Sequence, residues 1–348
     1  MRHPTNGRVT DQRPSPVSLH GRSTNEPSMS EPDAVGPRYT GGLLRTWYSP
    51  LVESDVYASP SASSAARFTT LQQVLGAQEF RPGGGVYRGS LIELIGTCIF
   101  VYVHIGIVRA ATLFGAFAYP PLIMGIVHAI LLSLFIFTTA APSGGHLNPS
   151  ITLATTFTGH TTLFRCGMYL SAQIVGGILG AVLMRVSLGW HQGPFSDAEM
   201  AVCSFGSLSV GSAFMAEVVW TFALLFVAFG IAFDPRQAQL FGPIMAPVFI
   251  GTQLGINIFA SASLSVEPGY VAGMNFAVCL GPAVAVGRVP ATTWVYFLGP
   301  MVAAAVLAVV FISAPPHHAK HGFYRPPLLC SAPLVGELSE HALAQTGS

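Results

Sequence analysis

Two short polar stretches inside an otherwise apolar sequence carry the residues with chemical capacity. The first is Ser143-Gly144-Gly145-His146-Leu147-Asn148-Pro149-Ser150, the second Gly273-Met274-Asn275-Phe276-Ala277-Val278. Asn is a good N-cap and Pro suits the first helical position, so a helix is expected to start at Asn148. Such a helix turns its positive dipole end and a side-chain amide toward whatever lies beside it. Read alone, the stretch fits an inter-helix loop with an ordinary cap equally well. Two acids, Glu93 and Glu217, stand in apolar runs, where a carboxylate needs partners inside the protein. No nucleophile–base pairing or phosphate loop occurs, so neither enzyme chemistry nor a cofactor is expected.

The composition sets the elements that must position these residues. Of 348 residues, 51% are hydrophobic and only 9% charged, far below the roughly 25% of soluble domains. Mean hydropathy is +0.55 although residues 1–88 are polar. A polytopic membrane protein embedded in a lipid bilayer is expected. The net charge of +1 gives no case for nucleic-acid binding. The five cysteines (Cys98, Cys166, Cys203, Cys279, Cys330) are odd in number, form no CxxC pair and lie mostly in or near apolar segments. This argues against a disulfide framework or a zinc site. The N-terminus has no apolar run of signal-peptide type, so the first transmembrane helix is expected to direct insertion.

Residues 1–88, rich in Ser, Pro, Gly, Thr and Arg, read as a disordered tail. Ala65–Phe80 within it fits either a short interfacial helix or a transiently helical linker. Six apolar stretches follow: Leu91–Ile107, Leu122–Thr139, Met168–Val186, Ala213–Phe233, Phe241–Ala262 and Trp294–Ser313. Each approaches the ~20 residues that cross a bilayer core. Asn148–Thr158 and Asn275–Val284 are too short to span and fit half-helices that dip in and are covered by protein. Residues 314–348 form a second tail. In it, His317-His318-Ala319-Lys320-His321 fits a solvated tail better than a metal site.

The two halves repeat. Glu217 follows Glu93 by 124 residues, each within Glu-x-x-x-Thr; Gly299 follows Gln173 by 126, and Asn275 follows Asn148 by 127. Three crossings per half invert the second half in the membrane, which places the site near the midplane where the half-helix N-termini meet. Asn148 is thereby half of a pair rather than a plain cap. The tail before the first crossing holds nine Arg, Arg236, Lys320 and Arg325 fall on the same side, and residues 188–211 hold no Lys or Arg. Both termini are therefore expected in the cytoplasm. Arg185 and Arg288, at opposite-side ends, run against the bias. The plasma membrane is the expected location, with an internal membrane as the alternative.

The stretch Ser143–Ser150 resembles the first Asn-Pro-Ala box of aquaporins, the major intrinsic protein family. Gly273-Met274-Asn275-Phe276-Ala277-Val278-Cys279-Leu280-Gly281-Pro282-Ala283 resembles the second, and Trp294-Val295-Tyr296-Phe297-Leu298-Gly299-Pro300 the family's last helix. The resemblance spans residues 89–313, and the Cys after the second box is similar to the X intrinsic branch. It implies an all-α, aquaporin-like fold of six transmembrane helices plus two re-entrant half-helices, one pore per protomer, and a homotetramer. It also implies that Asn148 and Asn275 donate to permeating water, while Glu93 and Glu217 brace the half-helix loops. Gly176, Gly177 and Gly180 read as helix-packing positions.

The boxes depart from the family pattern. Asn148-Pro149-Ser150 is nearly ordinary, but Asn275-Phe276-Ala277 lacks the second proline, and Phe276 either tilts the half-helix or intrudes on the lumen. Val278 stands where the family has a charged Arg. With His128, Ile258 and Ala272 it composes the expected selectivity filter, wider and more apolar than a water-specific one. Gly125 offers another register for the second-helix position, and His128 fits a packed interior residue as well as a filter residue. Cys279, expected to be inert when buried, is an oxidation or mercurial target if it sees the pore. Cys279 also replaces an Asp of the glycerol branch. The sequence therefore predicts passive passage of water or small neutral solutes of the glycerol, urea and hydrogen peroxide class. The alternative is a poorly conducting aquaporin-fold protein with an interaction or sensing role. An ion leak is disfavoured by the two half-helix dipoles.

Overall fold

The computed structural model of the chain describes residues 74–76, 79, 85–113, 120–189, 195–265 and 269–313, and within 235–243 the side chain of Gln237 alone. The expectations for the tails and for most of Ala65–Phe80 lie outside these residues. Eight α-helices are described: α1 Gly85–Leu113, α2 Pro120–Ser143, α3 Pro149–Phe157, α4 Leu163–Ser187, α5 Val210–Ala228, α6 Pro235–Ser261, α7 Phe276–Ala285 and α8 Val295–Ser313. A π-helical turn, Phe229–Phe233, extends α5. Six of these helices are long and apolar enough to cross a membrane. The short ones are α3, of 9 residues, and α7, of 10. Helix α1 is described from Gly85 onward.

Packing follows the repeat. Helix α1 lies along α4 and α5 along α8, while α3 packs on α8 and α7 on α4, so each half-helix is held by the long helix of the other half. The two halves meet along α2 and α6. Small residues permit the close approaches. A Cβ on Gly180 would sit 2.1 Å from the Cys98 carbonyl oxygen, and one on Gly177 would sit 2.6 Å from that of Ala277. Gly125 and Gly255 each face the other's backbone carbonyl where α2 crosses α6. With no hydrophobic drive between helices in lipid, such backbone proximity is what dispersion forces need.

The outward faces are apolar at helical spacing. Leu91, Ile95 and Ile99 line one exposed stripe on α1, and Val175, Leu179, Leu183 and Val186 line another on α4. These faces suit lipid or a neighbouring copy. Exposed hydroxyls such as those of Thr138, Ser171 and Thr252 donate to carbonyls of their own helices, as a solvent without hydrogen bonds requires.

Candidate functional site

The two boxes fold alike. Asn148 caps α3, its Oδ1 accepting the Ser150 N–H at 2.8 Å, and Asn275 caps α7, its Oδ1 accepting the Ala277 N–H at 3.1 Å. The Asn148 Nδ2 donates to the Met274 carbonyl at 3.0 Å, and the Asn275 Nδ2 donates to the Leu147 carbonyl, also at 3.0 Å. The residues before the caps, Leu147 and Met274, take left-handed φ values of +51° and +53°. That conformation costs a non-glycine residue about 1–2 kcal/mol. It lets each half-helix present its carbonyl to the opposite Asn. An amide carries two N–H groups, so each Asn keeps one beyond this bond. Ser150 adds an asymmetric contact, its Oγ donating to the Met274 carbonyl at 2.9 Å. Pro149 supplies the first residue of α3. In α7 that place belongs to Phe276, whose ring packs on Phe297 of α8 with centroids 5.1 Å apart. Ala277, fully buried, meets Gly177 of α4.

Each bracing acid is fully buried. Glu93 accepts four hydrogen bonds: from Ser143 Oγ at 2.6 Å, the His146 N–H at 3.0 Å, the Leu147 N–H at 2.6 Å and Gln173 Nε2 at 2.9 Å. Gln173 also donates to Thr152 Oγ1 at 2.9 Å, which ties α4 to α3. Glu217 accepts from the Gly273 N–H at 2.8 Å, the Met274 N–H at 3.0 Å and the Tyr270 hydroxyl at 3.3 Å. The loops carrying both carbonyl-presenting residues therefore hang on the carboxylates.

Of the expected filter residues, Ile258, Ala272 and Val278 share one buried apolar cluster. Ile258 lies near the end of α6 and Val278 in the first turn of α7. The Ala272 N–H is fixed by Ser261 Oγ at 3.0 Å. His128 is 2% exposed, and both of its ring nitrogens are engaged. Its Nδ1 meets the Met124 carbonyl at 2.7 Å and its Nε2 meets Nδ1 of His104 on α1 at 2.8 Å.

One expectation is corrected. Cys279 is neither inert nor free: it forms a disulfide with Cys203, 76 residues away, despite the apolar surroundings that argued against one. Cys98 and Cys166 are free thiols. The disulfide ties the connection between α4 and α5 to the first turn of α7, beside Val278. That connection is pinned elsewhere too. Glu199 pairs with Arg109 at 3.0 Å, Asp197 accepts from Arg288 Nε at 3.2 Å, and the Ser207 N–H donates to Ser265 Oγ at 3.0 Å. The N–H and hydroxyl of Ser196, with Arg109, hold the Glu199 carboxyl below its usual range. Sequence reading missed Glu79 as well. Nearly buried, it accepts from Thr162 Oγ1 at 3.0 Å and Arg165 Nε at 3.2 Å, docking the segment before α1 onto the start of α4.

This geometry has known counterparts. A family model described as major intrinsic protein matches residues 84–311, more than half of the chain. The chain belongs to the major intrinsic protein family and is a multi-pass membrane channel for water and small solutes, not an enzyme. A probable aquaporin TIP4-1 of Oryza sativa subsp. japonica is 32% identical over 234 residues, covering 66% of this chain and 87% of its own length. Aquaporin TIP4-3 of Zea mays is 34% identical over 240 residues, covering 67% and 90%. The aquaglyceroporin of Plasmodium falciparum superposes with a TM-score of 0.52 at 20% identity, over 65% of this chain and 93% of its own.

Proposed function

We propose that water and small neutral solutes cross between the tips of α3 and α7, where Asn148 and Asn275 offer their remaining N–H groups. Pro149, Ser150, Phe276 and Ala277 build the two tips around them. The observation that carries this reading is the reciprocal Asn–carbonyl pair, which brings two helix N-termini together at the middle of the chain's apolar part. Two facing positive dipole ends oppose cations and leave neutral molecules unhindered. His128, Ile258, Ala272 and Val278 form the outer filter. Val278 brings neither charge nor donors, so the filter passes molecules of the urea and glycerol class as well as water. Glu93 and Glu217 act structurally, through the loops they hold.

Both termini face the cytoplasm in this reading. The basic N-terminal tail supports that orientation, and so does the disulfide. A Cys203–Cys279 bond persists on an oxidising, non-cytoplasmic side, the side assigned to the α4–α5 connection by its lack of Lys and Arg. The plasma membrane or an internal membrane with an oxidising lumen satisfies this. The exposed apolar stripes support assembly as a homotetramer. Stopped-flow swelling of proteoliposomes with water, urea and glycerol tests the function. Rates above protein-free vesicles are expected for water and at least one solute, and background rates for all of them would overturn it.

A further inference from the structure

The His104–His128 contact fixes its own protons. The Met124 carbonyl only accepts, so His128 Nδ1 carries a hydrogen and donates to it. In the neutral ring, Nε2 is then bare and must accept. Its partner at 2.8 Å, His104 Nδ1, therefore donates. This leaves His104 Nε2 as a bare acceptor. His128 has no N–H left for a passing solute, and the polar atom the pair offers belongs to His104.

The position of His104 on α1 agrees. Glu93, Thr97, Phe100 and His104 recur at spacings of three and four and share one helix face. Leu91, Ile95 and Ile99 hold the opposite, exposed face. Glu93, Thr97 and Phe100 are buried, while His104 keeps partial exposure on this inward stripe. It stands about 16 Å beyond Glu93 along the helix. Five residues further, Arg109 reaches Glu199 of the α4–α5 connection. His104 thus lies between the level of the boxes and that connection, on the side facing the interior.

We infer that His104 is a specificity-determining residue of the channel: it locks the tautomer of His128 and presents its own Nε2 as an acceptor to hydrogen-bond-donating solutes such as urea. This rests on the filter reading above. In the neutral state the pair offers an acceptor and no donor. It therefore favours solutes rich in N–H or O–H groups over those that only accept.

The test is the permeability ratio of urea to dimethylformamide, which accepts hydrogen bonds but has no N–H or O–H to donate, for the full chain in proteoliposomes, comparing wild type, His104→Phe, His104→Asn and His128→Ala. A ratio is insensitive to the amount of protein reconstituted. His104→Phe keeps a ring but loses both nitrogens, and the ratio is expected to fall about fivefold, the worth of one hydrogen bond. His104→Asn keeps a donor near the position of Nδ1 and an acceptor beside it, so the ratio is expected within about twofold of wild type. Should the Phe variant fail to reconstitute, His104→Leu takes its place. If His128→Ala shifts the ratio while His104→Phe does not, the role of His104 is refuted and the filter reading survives. Equal shifts in the Phe and Asn variants would also refute it, because the effect would then be one of bulk. No shift in His128→Ala would remove the filter reading itself, and the inference with it.

Discussion

The two half-helices perform mirrored tasks but are held by different chemistry. Around α3, fixation is a hydrogen-bonded network: Glu93 takes four donors, and Gln173 and Thr152 join α4 to the half-helix. Around α7, Glu217 takes three donors, Gly299 stands at the position corresponding to Gln173, and the first turn is tied covalently through Cys279 to Cys203. One repeat unit thus fixes its tip from within the membrane. The other fixes it through the α4–α5 connection, by a disulfide that has no counterpart among the described residues of the first half. Among the described residues, it is the tip of α7 that a disulfide holds.

The largest effect that can break this comparison is at the acids. Glu93→Ala leaves the His146 and Leu147 N–H groups buried without an acceptor, and the expected loss is on the order of 3 kcal/mol or more. Glu217→Ala, with fewer donors stranded, should cost less. Thermal unfolding in detergent ranks the two, and the reverse order would contradict an α3 site that depends more on its carboxylate. Next comes the disulfide. Reduction, or Cys203→Ser, is expected to lower stability by about 2–4 kcal/mol. Reductant should shift the wild-type unfolding temperature and leave that of Cys203→Ser unmoved; a shift in both would locate the sensitivity elsewhere. Gln173→Leu removes one donor from Glu93 and should cost about 1 kcal/mol. The smallest effect belongs to Phe276→Pro, within about 1 kcal/mol, since proline suits the first helical position but the contact with Phe297 is lost. Water flux should be unchanged. A large rise would mean that the ring obstructs the lumen after all.

Much of this arrangement is legible in the sequence, because the membrane enforces simple rules. Apolar length marks the spans, and an apolar run too short to cross the bilayer fits only where protein covers it. The offsets relating Glu93 to Glu217 and Asn148 to Asn275 then pair the halves. What escaped depends on contacts that no local pattern records. Cys203 and Cys279 are 76 residues apart, and Cys279, buried in an apolar run, resembles an inert thiol. His104 is an isolated polar residue in α1 until the crossing with α2 sets it beside His128, 24 positions on. Glu79 sits in a polar tail whose composition gives no hint of docking on Thr162 and Arg165. The orientation of the Phe276 ring depended on which helix lay behind it, and Phe297 became that neighbour only once α8 was placed.

The selectivity reading rests on Val278, because a side chain without charge or donors stands where the family has Arg. The most direct measurement is solute uptake by proteoliposomes carrying Val278→Arg beside the wild type. Restoring a guanidinium should keep water flux within about twofold and cut urea and glycerol uptake by at least about fivefold, the scale of one charged contact. An unchanged solute profile would contradict the placement of the filter at Val278.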